Sequence, residues 1–270
     1  MSDRPGQNSD FVQSLERGLA VIRAFDAEHR ELALSEVARL TGLTRAAARR
    51  FLLTLVKLGY VNFSHGRFSL RPRVLELGYA YLSSLSLPEV ALPHMEALVA
   101  QVNESCSIAV LDETDIVYVA RVPTRRIMSI TLAVGTRLPA FVTSMGRVLL
   151  AGLPDEELEE RLARIEMTPL TSRTVTDKAT LREILTTVAR QGYAATDQEL
   201  EEGLRSIAVP LRTTSGTVTA ALNLSIHASR ASMAALRRDF LPLALRTATA
   251  IEEDLRGTGD RHGSFALPES

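Results

Sequence analysis

Three arginines lie close together in the stretch from Thr41 to Val61, TGLTRAAARRFLLTLVKLGYV. Arg45, Arg49 and Arg50 occupy the first turn and a half of a predicted helix, and no acid accompanies them. Positive charge at a helix amino terminus is unfavourable, because the helix dipole is already positive there. Guanidinium groups bind phosphates and guanine edges well, so contact with a nucleic acid is the chemistry that would offset this cost.

The elements predicted around these arginines are those of a winged helix-turn-helix. Apolar residues recur at helical spacing over residues 14–25, which indicates a first helix. A second, short helix is expected to have Ser35 as its N-cap and to stop before Gly42, and Thr44 is expected to cap the third helix. Residues 60–70, YVNFSHGRFSL, alternate apolar and polar types on both sides of a turn and predict a hairpin.

The third helix is expected to read DNA, since the amino-terminal part of the second helix of such a motif enters the major groove. Its apolar residues predict the core face, and they are Phe51, Leu52, Leu55 and Leu58. Three alanines in succession, residues 46–48, would keep the front of the helix slim. Arg45 and Arg49 are then expected to read base edges and Arg50 to contact the phosphate backbone, whereas a solvated polar face is the alternative.

The candidate DNA-binding residues lie on the helix-turn-helix or on the hairpin. They are Ser35, Thr44, Arg45, Ala46, Arg49, Arg50 and Arg67. For Arg67, at the end of the hairpin turn, an exposed turn without a DNA contact is an equal alternative.

Charge is unevenly distributed along the chain. Residues 1–85 hold 12 Lys/Arg against 8 Asp/Glu, a net charge of +4, whereas residues 86–270 hold 19 against 24, a net charge of −5. Residues 37–75 contain eight basic residues and no acid. A basic region in a chain whose net charge is −1 indicates a local contact with a polyanion such as double-stranded DNA.

The rest of the chain predicts a second domain of the α+β class. Strand-like runs such as SIAVL, IVYVARV and IMSITLAV do not alternate strictly with helices, which favours an antiparallel sheet flanked by helices. The expected order is a disordered tail (1–10), the winged helix-turn-helix (11–71), a linker helix (72–87), an effector-binding and oligomerisation domain (88–257) and a loose tail (258–270).

Catalytic and metal chemistry is not indicated, and no cofactor is expected. The five histidines show no metal-ligand spacing, and the glycine-rich run GTGDRHG does not follow a strand. Cys106 is expected to be a buried residue rather than a nucleophile. The single cysteine fits a reducing compartment, and neither a signal peptide nor a membrane-spanning run is visible, so we expect a cytoplasmic protein.

From about Phe11 to Leu255 the chain resembles IclR-type transcriptional regulators. The segments that carry the resemblance are, in order, SLERGLAVIRAF, LSEVARLTGLTRAAARRFLLTLVKLGYV, VGTRLPAFVTSMGRVLLA, DQELEEGLRSIAVPL and AALNLSI. FVQSLERGLAVIRAF and RLPAFVTSMGRVLLA are similar to the subgroup that controls aromatic-acid catabolism through protocatechuate and β-ketoadipate. The resemblance implies a winged helix that dimerises on a palindromic operator. It also implies a GAF-like effector domain and a homodimer or a dimer of dimers. No membrane partner is expected, because the sequence lacks an apolar run long enough to span a bilayer.

The resemblance also implies a pocket for a small carboxylate effector, between the sheet and the start of the helix in TSMGRVLL. Carried over by motif, its lining falls at Ile127, Ile130, Ser144, Met145, Thr196, Ser206, Asn223 and Ser225. Some relatives have Gly-Ala in place of Ser144-Met145, so their ligands need not transfer. Arg137 is a candidate partner for the effector carboxylate, and pairing with an acid of its own domain is the alternative.

Two other functions stay open at this stage. One is constitutive DNA binding without an effector, with a well-capped core helix where the pocket is expected. The other is an enzyme acting on a small carboxylate.

Overall fold

The computed structural model describes residues 11–26, 28–77, 86–124 and 132–259. The chain forms two compact units, residues 1–84 and 85–270. The expected tail at residues 1–10 lies outside the described residues, as do residues 260–270 of the expected tail 258–270 and most of the expected linker helix, residues 78–85.

The first unit is a winged helix-turn-helix. Its elements are α1 (Gln13–Arg23), β1 (Glu31–Ala33), α2 (Leu34–Thr41), α3 (Arg45–Leu58), β2 (Val61–Ser64) and β3 (Arg67–Leu70), followed by a 3-10 turn (Pro72–Leu75). The predicted hairpin pairs β2 with β3, and the unpredicted β1 adds a third antiparallel strand on the other side of β3. Val21, Val37, Leu52, Val61 and Phe68 are among the buried residues that join the helices to this small sheet.

The amino terminus of α2 differs from the prediction. The helix begins at Leu34, and Ala33 rather than Ser35 is the N-cap. The Ala33 N–H donates to Glu36 Oε2 at 2.6 Å, so the glutamate carboxylate satisfies the backbone group that precedes the helix. Ser35 is exposed on the first turn instead.

The core face of α3 is also shifted from the prediction. Leu52 and Leu55 are buried and Phe51 packs against the core, but Leu58 is half exposed because the chain turns away at Gly59. Ala48 is fully buried and therefore belongs to the core rather than to the slim front. Gly59 has φ +83°, a left-handed conformation that favours glycine, and it ends the helix as predicted.

The second unit is a six-stranded antiparallel sheet flanked by helices. Its elements are α4 (Ser86–Val102), β4 (Ser105–Asp112), β5 (Asp115–Val122), β6 (Arg137–Pro139), α5 (Ser144–Ala151), α6 (Asp155–Arg164), α7 (Lys178–Gln191), β7 (Ala194–Asp197), β8 (Leu204–Arg212), β9 (Val218–His227) and α8 (Leu241–Gly259). The strand order is β6-β5-β4-β9-β8-β7. The α+β class with an antiparallel sheet is confirmed.

Each face of this sheet has its own buried cluster. On one face Cys106, Ile108 and Leu222 pack with residues of α4 and α8 such as Met95 and Ile251. On the other face the strands contribute small residues that pack with α5 and α7. These small strand residues are Ala109, Ala194, Ala208 and Ala221. They leave room for α5 to lie close to the sheet.

Two helix starts in this unit differ from the prediction, and one predicted strand is not tested. The first helix begins at Ser86 rather than at Pro88, since a proline in the first turn removes an N–H that has no partner there. The last helix, expected from Ser229, begins after Ser232 and passes through a π-helical turn, Leu236–Phe240. The run IMSITLAV falls mostly on residues 125–131, which lie outside the described residues.

None of the helices described here is long and apolar enough to cross a membrane.

Candidate DNA-binding and effector-binding sites

The start of α3 presents an unpaired basic face. Thr44 caps the helix as predicted, its Oγ1 accepting the Ala47 N–H at 3.2 Å. Arg45, Arg49 and Arg50 are exposed, and no carboxylate in the described part of the chain forms an ion pair with them. Their charges are thus free to meet an external anion such as a DNA phosphate.

The hairpin arginine has a different environment. Arg67 Nη2 donates to the Glu31 carbonyl oxygen at 3.0 Å and lies 3.2 Å from Glu36 Oε2. Arg67 therefore fastens the hairpin to β1 and α2, and a DNA contact would compete with Glu36. The exposed Ser35 and Ala46 complete the set of candidate DNA-binding residues, and neither carries a charge.

In the second unit, a pocket lies between the sheet and the start of α5. Ser144 Oγ and Thr196 Oγ1 each lie 2.8 Å from Ser206 Oγ, so three buried hydroxyls form one chain across α5, β8 and β7. Hydroxyls can both donate and accept, so this wall can adapt to either kind of ligand group.

Two buried acceptors of the pocket have no hydrogen-bond partner. Asn223 Nδ2 donates to Ser225 Oγ at 3.1 Å, but Asn223 Oδ1 is unpartnered. Glu201 Oε2 is also buried and unpartnered, and both residues line the pocket. A buried acceptor without a donor costs about 1–3 kcal/mol, and a ligand that supplies a hydroxyl would recover it.

The remaining walls are apolar or aromatic. Met145, which is fully buried, and Leu132 and Leu200 line the pocket. Burial raises the pKa of Tyr118 to about 12, so this phenol keeps its proton at neutral pH and can act as a donor. A ring-sized ligand with polar ends suits such a lining.

The structure brings most of the sequence-predicted effector residues together. Ser144, Met145, Thr196, Ser206, Asn223 and Ser225 all line the pocket. Ile127 and Ile130 lie outside the described residues.

Arg137, the expected candidate for the effector carboxylate, is not among the residues that line this pocket. Its guanidinium contacts Asp112 and lies 3.2 Å from Asp115 Oδ2, and these hydrogen bonds raise its pKa. The alternative, an acid of its own domain, is the partner observed.

Sequence reasoning missed several lining residues, namely Tyr118, Leu132, Val142, Leu200, Glu201 and Leu204. The acids of the segment DQELEEGLRSIAVPL cannot be told apart from the sequence. Glu199 is bound to Arg147, whereas Glu201 reaches the pocket.

A buried ion pair holds the pocket segment in place. Arg147 Nη1 and Nη2 donate to the two carboxylate oxygens of Glu199 at 2.7 and 2.6 Å, and Arg147 Nε donates to the Phe141 carbonyl oxygen at 2.9 Å. Both side chains are largely buried. The pair connects α5 to the β7–β8 segment that carries Leu200 and Glu201.

Cys106 has the environment of a core residue. It is fully buried, and burial raises the pKa of its thiol to about 12, so it carries no thiolate at neutral pH. Within the described residues, no group of three or more His, Cys, Asp or Glu side chains is arranged to hold a metal ion.

Two family profiles match the chain. Residues 14–64 match the IclR helix-turn-helix domain, and residues 79–253 match the C-terminal domain of the bacterial transcriptional regulator IclR. The chain belongs to the IclR family. As an IclR-family protein, it is a DNA-binding transcriptional regulator with an effector domain.

Its IclR-family relatives cover nearly the whole chain. The Pca regulon regulatory protein of Pseudomonas putida is 45% identical over 249 residues, which span 92% of this chain and 86% of that protein. The crystal structure of a transcriptional regulator from Rhodococcus sp. RHA1 is 56% identical, has a TM-score of 0.82, and covers 92% of this chain and 100% of its own. An IclR homolog from Microbacterium hydrocarbonoxydans, crystallised with 4-hydroxybenzoate, is 30% identical and has a TM-score of 0.80. The match covers 91% of this chain and 100% of that chain.

Proposed function

We propose that this IclR-family regulator binds a palindromic operator through α3 and that a small hydroxylated aromatic acid in its pocket controls this binding. The observation that carries the proposal is the pocket beside α5, with its chain of hydroxyls and its two unpartnered acceptors. Arg45 and Arg49 read base edges, and Arg50 contacts the phosphate backbone.

The chemistry of the pocket favours a hydroxybenzoate-like effector. Apolar walls at Met145 and Leu132 suit a ring, and the acceptors on Asn223 and Glu201 call for a ligand hydroxyl. An IclR homolog of the same fold was crystallised with 4-hydroxybenzoate, and the Pca regulon regulatory protein is a relative with 45% identity. Met145 is bulkier than the alanine that some relatives have at this position, so it reshapes the cavity and can change which of these acids binds best.

Control of this kind is a population shift. A ligand changes the affinity for DNA only if it binds the DNA-competent state and the other state with different affinities. The effector therefore stabilises one arrangement of the DNA-binding units over the other.

The test is calorimetric titration of 4-hydroxybenzoate and protocatechuate into the full chain, alone and bound to a duplex selected from random sequence by this protein. We expect the affinity for the acid to differ at least about fivefold between the two titrations, the lower end of typical coupling. Identical affinities would exclude the coupling, and no binding of either acid would exclude the effector class.

The same proposal includes a cytoplasmic homodimer or dimer of dimers without catalytic activity. An apolar row on the first unit supports self-association, since Phe11, Val12, Leu15 and Leu19 are exposed.

A further inference from the structure

Arg121 lies on the face of the sheet that forms the pocket. In the strand register Arg121 of β5 pairs with Ser107 of β4, and Ser107 pairs with Asn223 of β9. Paired residues of neighbouring strands point to the same side, so these three side chains form one row across the sheet. Asn223, the last of the row, lines the pocket.

A bulge aligns Arg121 with the pocket residue Tyr118. In a regular strand, residues three apart point to opposite faces. The register shifts between Ile108 and Ala109, where Ala109 pairs with Tyr118 and Ile108 pairs with Ala120. Val119 is the extra residue, so Tyr118 and Arg121 share a face.

The guanidinium of Arg121 is turned inward along this row. Its Nη1 donates to Ser107 Oγ at 3.3 Å, and Ser107 is 1% exposed. Because Ser107 Oγ accepts this bond, the Ser107 hydroxyl proton remains available to another acceptor.

Arg121 differs from the other partly or fully buried arginines of this unit. Arg147 pairs with Glu199, Arg161 with Glu157, and Arg205 with Asp197. In the described part of the chain, no carboxylate pairs with Arg121, and burial lowers its pKa. The guanidinium nevertheless stays charged. A half-buried cation without a carboxylate partner among the described residues therefore lies on the same face as the lining residues Tyr118 and Asn223, next to the lining rather than in it.

We propose that Arg121 binds the carboxylate of the effector, with the Ser107 hydroxyl as a second donor. This assignment rests on the proposed function and replaces Arg137 in that role. It also gives the ligand a direction across the sheet: the carboxylate lies toward β5, and the ring hydroxyl faces Asn223 and Glu201.

The start of α5 is the competing carboxylate site. There, however, Thr143 Oγ1 accepts the Gly146 N–H at 3.0 Å, and Ser144 Oγ is engaged with Ser206 Oγ. That leaves the Ser144 and Met145 N–H groups as the donors of the competing site, and they are uncharged, whereas Arg121 is a cation whose one hydrogen bond among the described residues goes to Ser107.

The experiment compares 4-hydroxybenzoate with its neutral analogue 4-hydroxybenzamide by calorimetry on the full chain. We expect wild type to prefer the acid, and Arg121→Met to lose about 10- to 100-fold in affinity for the acid but less than about threefold for the amide, since a charged hydrogen bond is removed. Arg121→Lys keeps the charge and should fall between the two. Arg190→Met, an exposed arginine on α7, is the matched control and should bind the acid as wild type does.

Each outcome has one meaning. If Arg121→Met and Arg121→Lys both bind the acid within threefold of wild type, the role of Arg121 is wrong and the α5 site is favoured, while the proposed function stands. If circular dichroism shows that Arg121→Met is unfolded, Arg121→Lys decides the question. A loss of affinity of Arg121→Lys for the acid but not for the amide then supports the role of Arg121. If wild type binds neither 4-hydroxybenzoate nor protocatechuate, the proposed function fails, and this role fails with it.

Discussion

At the residue scale, the described arginines of this chain fall into two groups, those that form an ion pair with a carboxylate and those that do not. Arg147 and Arg205 are neutralised by acids of their own unit. The three arginines at the start of α3 have no such partner among the described residues, although the helix dipole disfavours them. An arginine that lies at the expected binding surface and lacks an intramolecular acid is therefore a candidate for contact with an external anion.

Arg49→Ala tests this idea for DNA. If Arg49 reads a base, the substitution should weaken binding to the selected duplex by about 1–3 kcal/mol. Fluorescence anisotropy measures the affinity at fixed salt, and Arg190→Ala in the second unit serves as the control for the lost charge. An unchanged affinity would mean that Arg49 does not contribute to DNA binding.

Glu201→Met tests the hydroxyl end of the pocket. Glu201 Oε2 is buried without a donor, so a ligand hydroxyl should bind there. Removing the carboxylate should cost 4-hydroxybenzoate about 1.5–3 kcal/mol and leave benzoate nearly unchanged, since benzoate offers no hydroxyl. Calorimetry with both acids measures the ratio of the affinity for 4-hydroxybenzoate to the affinity for benzoate. Glu202→Met changes an exposed neighbour and should keep the wild-type ratio. Equal ratios in the wild type, Glu201→Met and Glu202→Met would rule out a contact between Glu201 and the ligand hydroxyl.

At the element scale, α5 shows how one helix serves both packing and the pocket. A Cβ atom on Gly146 would lie 2.1 Å from the Ala140 carbonyl oxygen, so only glycine permits this close approach of the helix to the preceding turn. The same helix carries Ser144 and Met145 to the pocket and Arg147 to Glu199.

Arg147→Met should destabilise the second unit by about 3–5 kcal/mol, because it leaves the Glu199 carboxylate buried without its counter-charge. Urea unfolding followed by circular dichroism measures the loss. The double variant Arg147→Met/Glu199→Leu removes both charges and should recover part of the stability. A double variant less stable than Arg147→Met would argue against an unpaired charge as the cause.

At the scale of the whole molecule, the proposed binding to a palindromic operator requires two copies of the DNA-binding unit. The apolar row on α1 offers a surface for self-association, and Leu15 and Leu19 are 63% and 48% exposed. Exposed apolar rows of this kind are often covered in an assembly.

Leu15→Glu/Leu19→Glu should shift the protein toward smaller species, because charges on an apolar interface lose their water on association. Size-exclusion chromatography with light scattering gives the mass. Leu170→Glu, at a residue 47% exposed in the second unit, is the matched control and should keep the wild-type mass. An unaltered mass for the double variant would place the interface elsewhere.

Features that depend on neighbours along the chain can be read from the amino-acid sequence. Thr44 and Gly59 bound α3 because capping and left-handed φ are local properties, and Asp177 and Gly192 bound α7 in the same way. The motifs also indicated the family, the antiparallel sheet and six of the pocket residues.

Which polar groups meet depends on the fold. Among the described residues Arg137 contacts Asp112 and Asp115, whereas Arg121 donates to Ser107, and no local pattern distinguishes these two strand arginines. The face of Arg121 depends on the bulge beside Ala109, and its row depends on the pairing of Ser107 with Asn223. Strand register brings together residues far apart in the chain, and a shift of one residue would turn each side chain to the other face. The charge that the pocket offers to a carboxylate is therefore a property of the folded sheet.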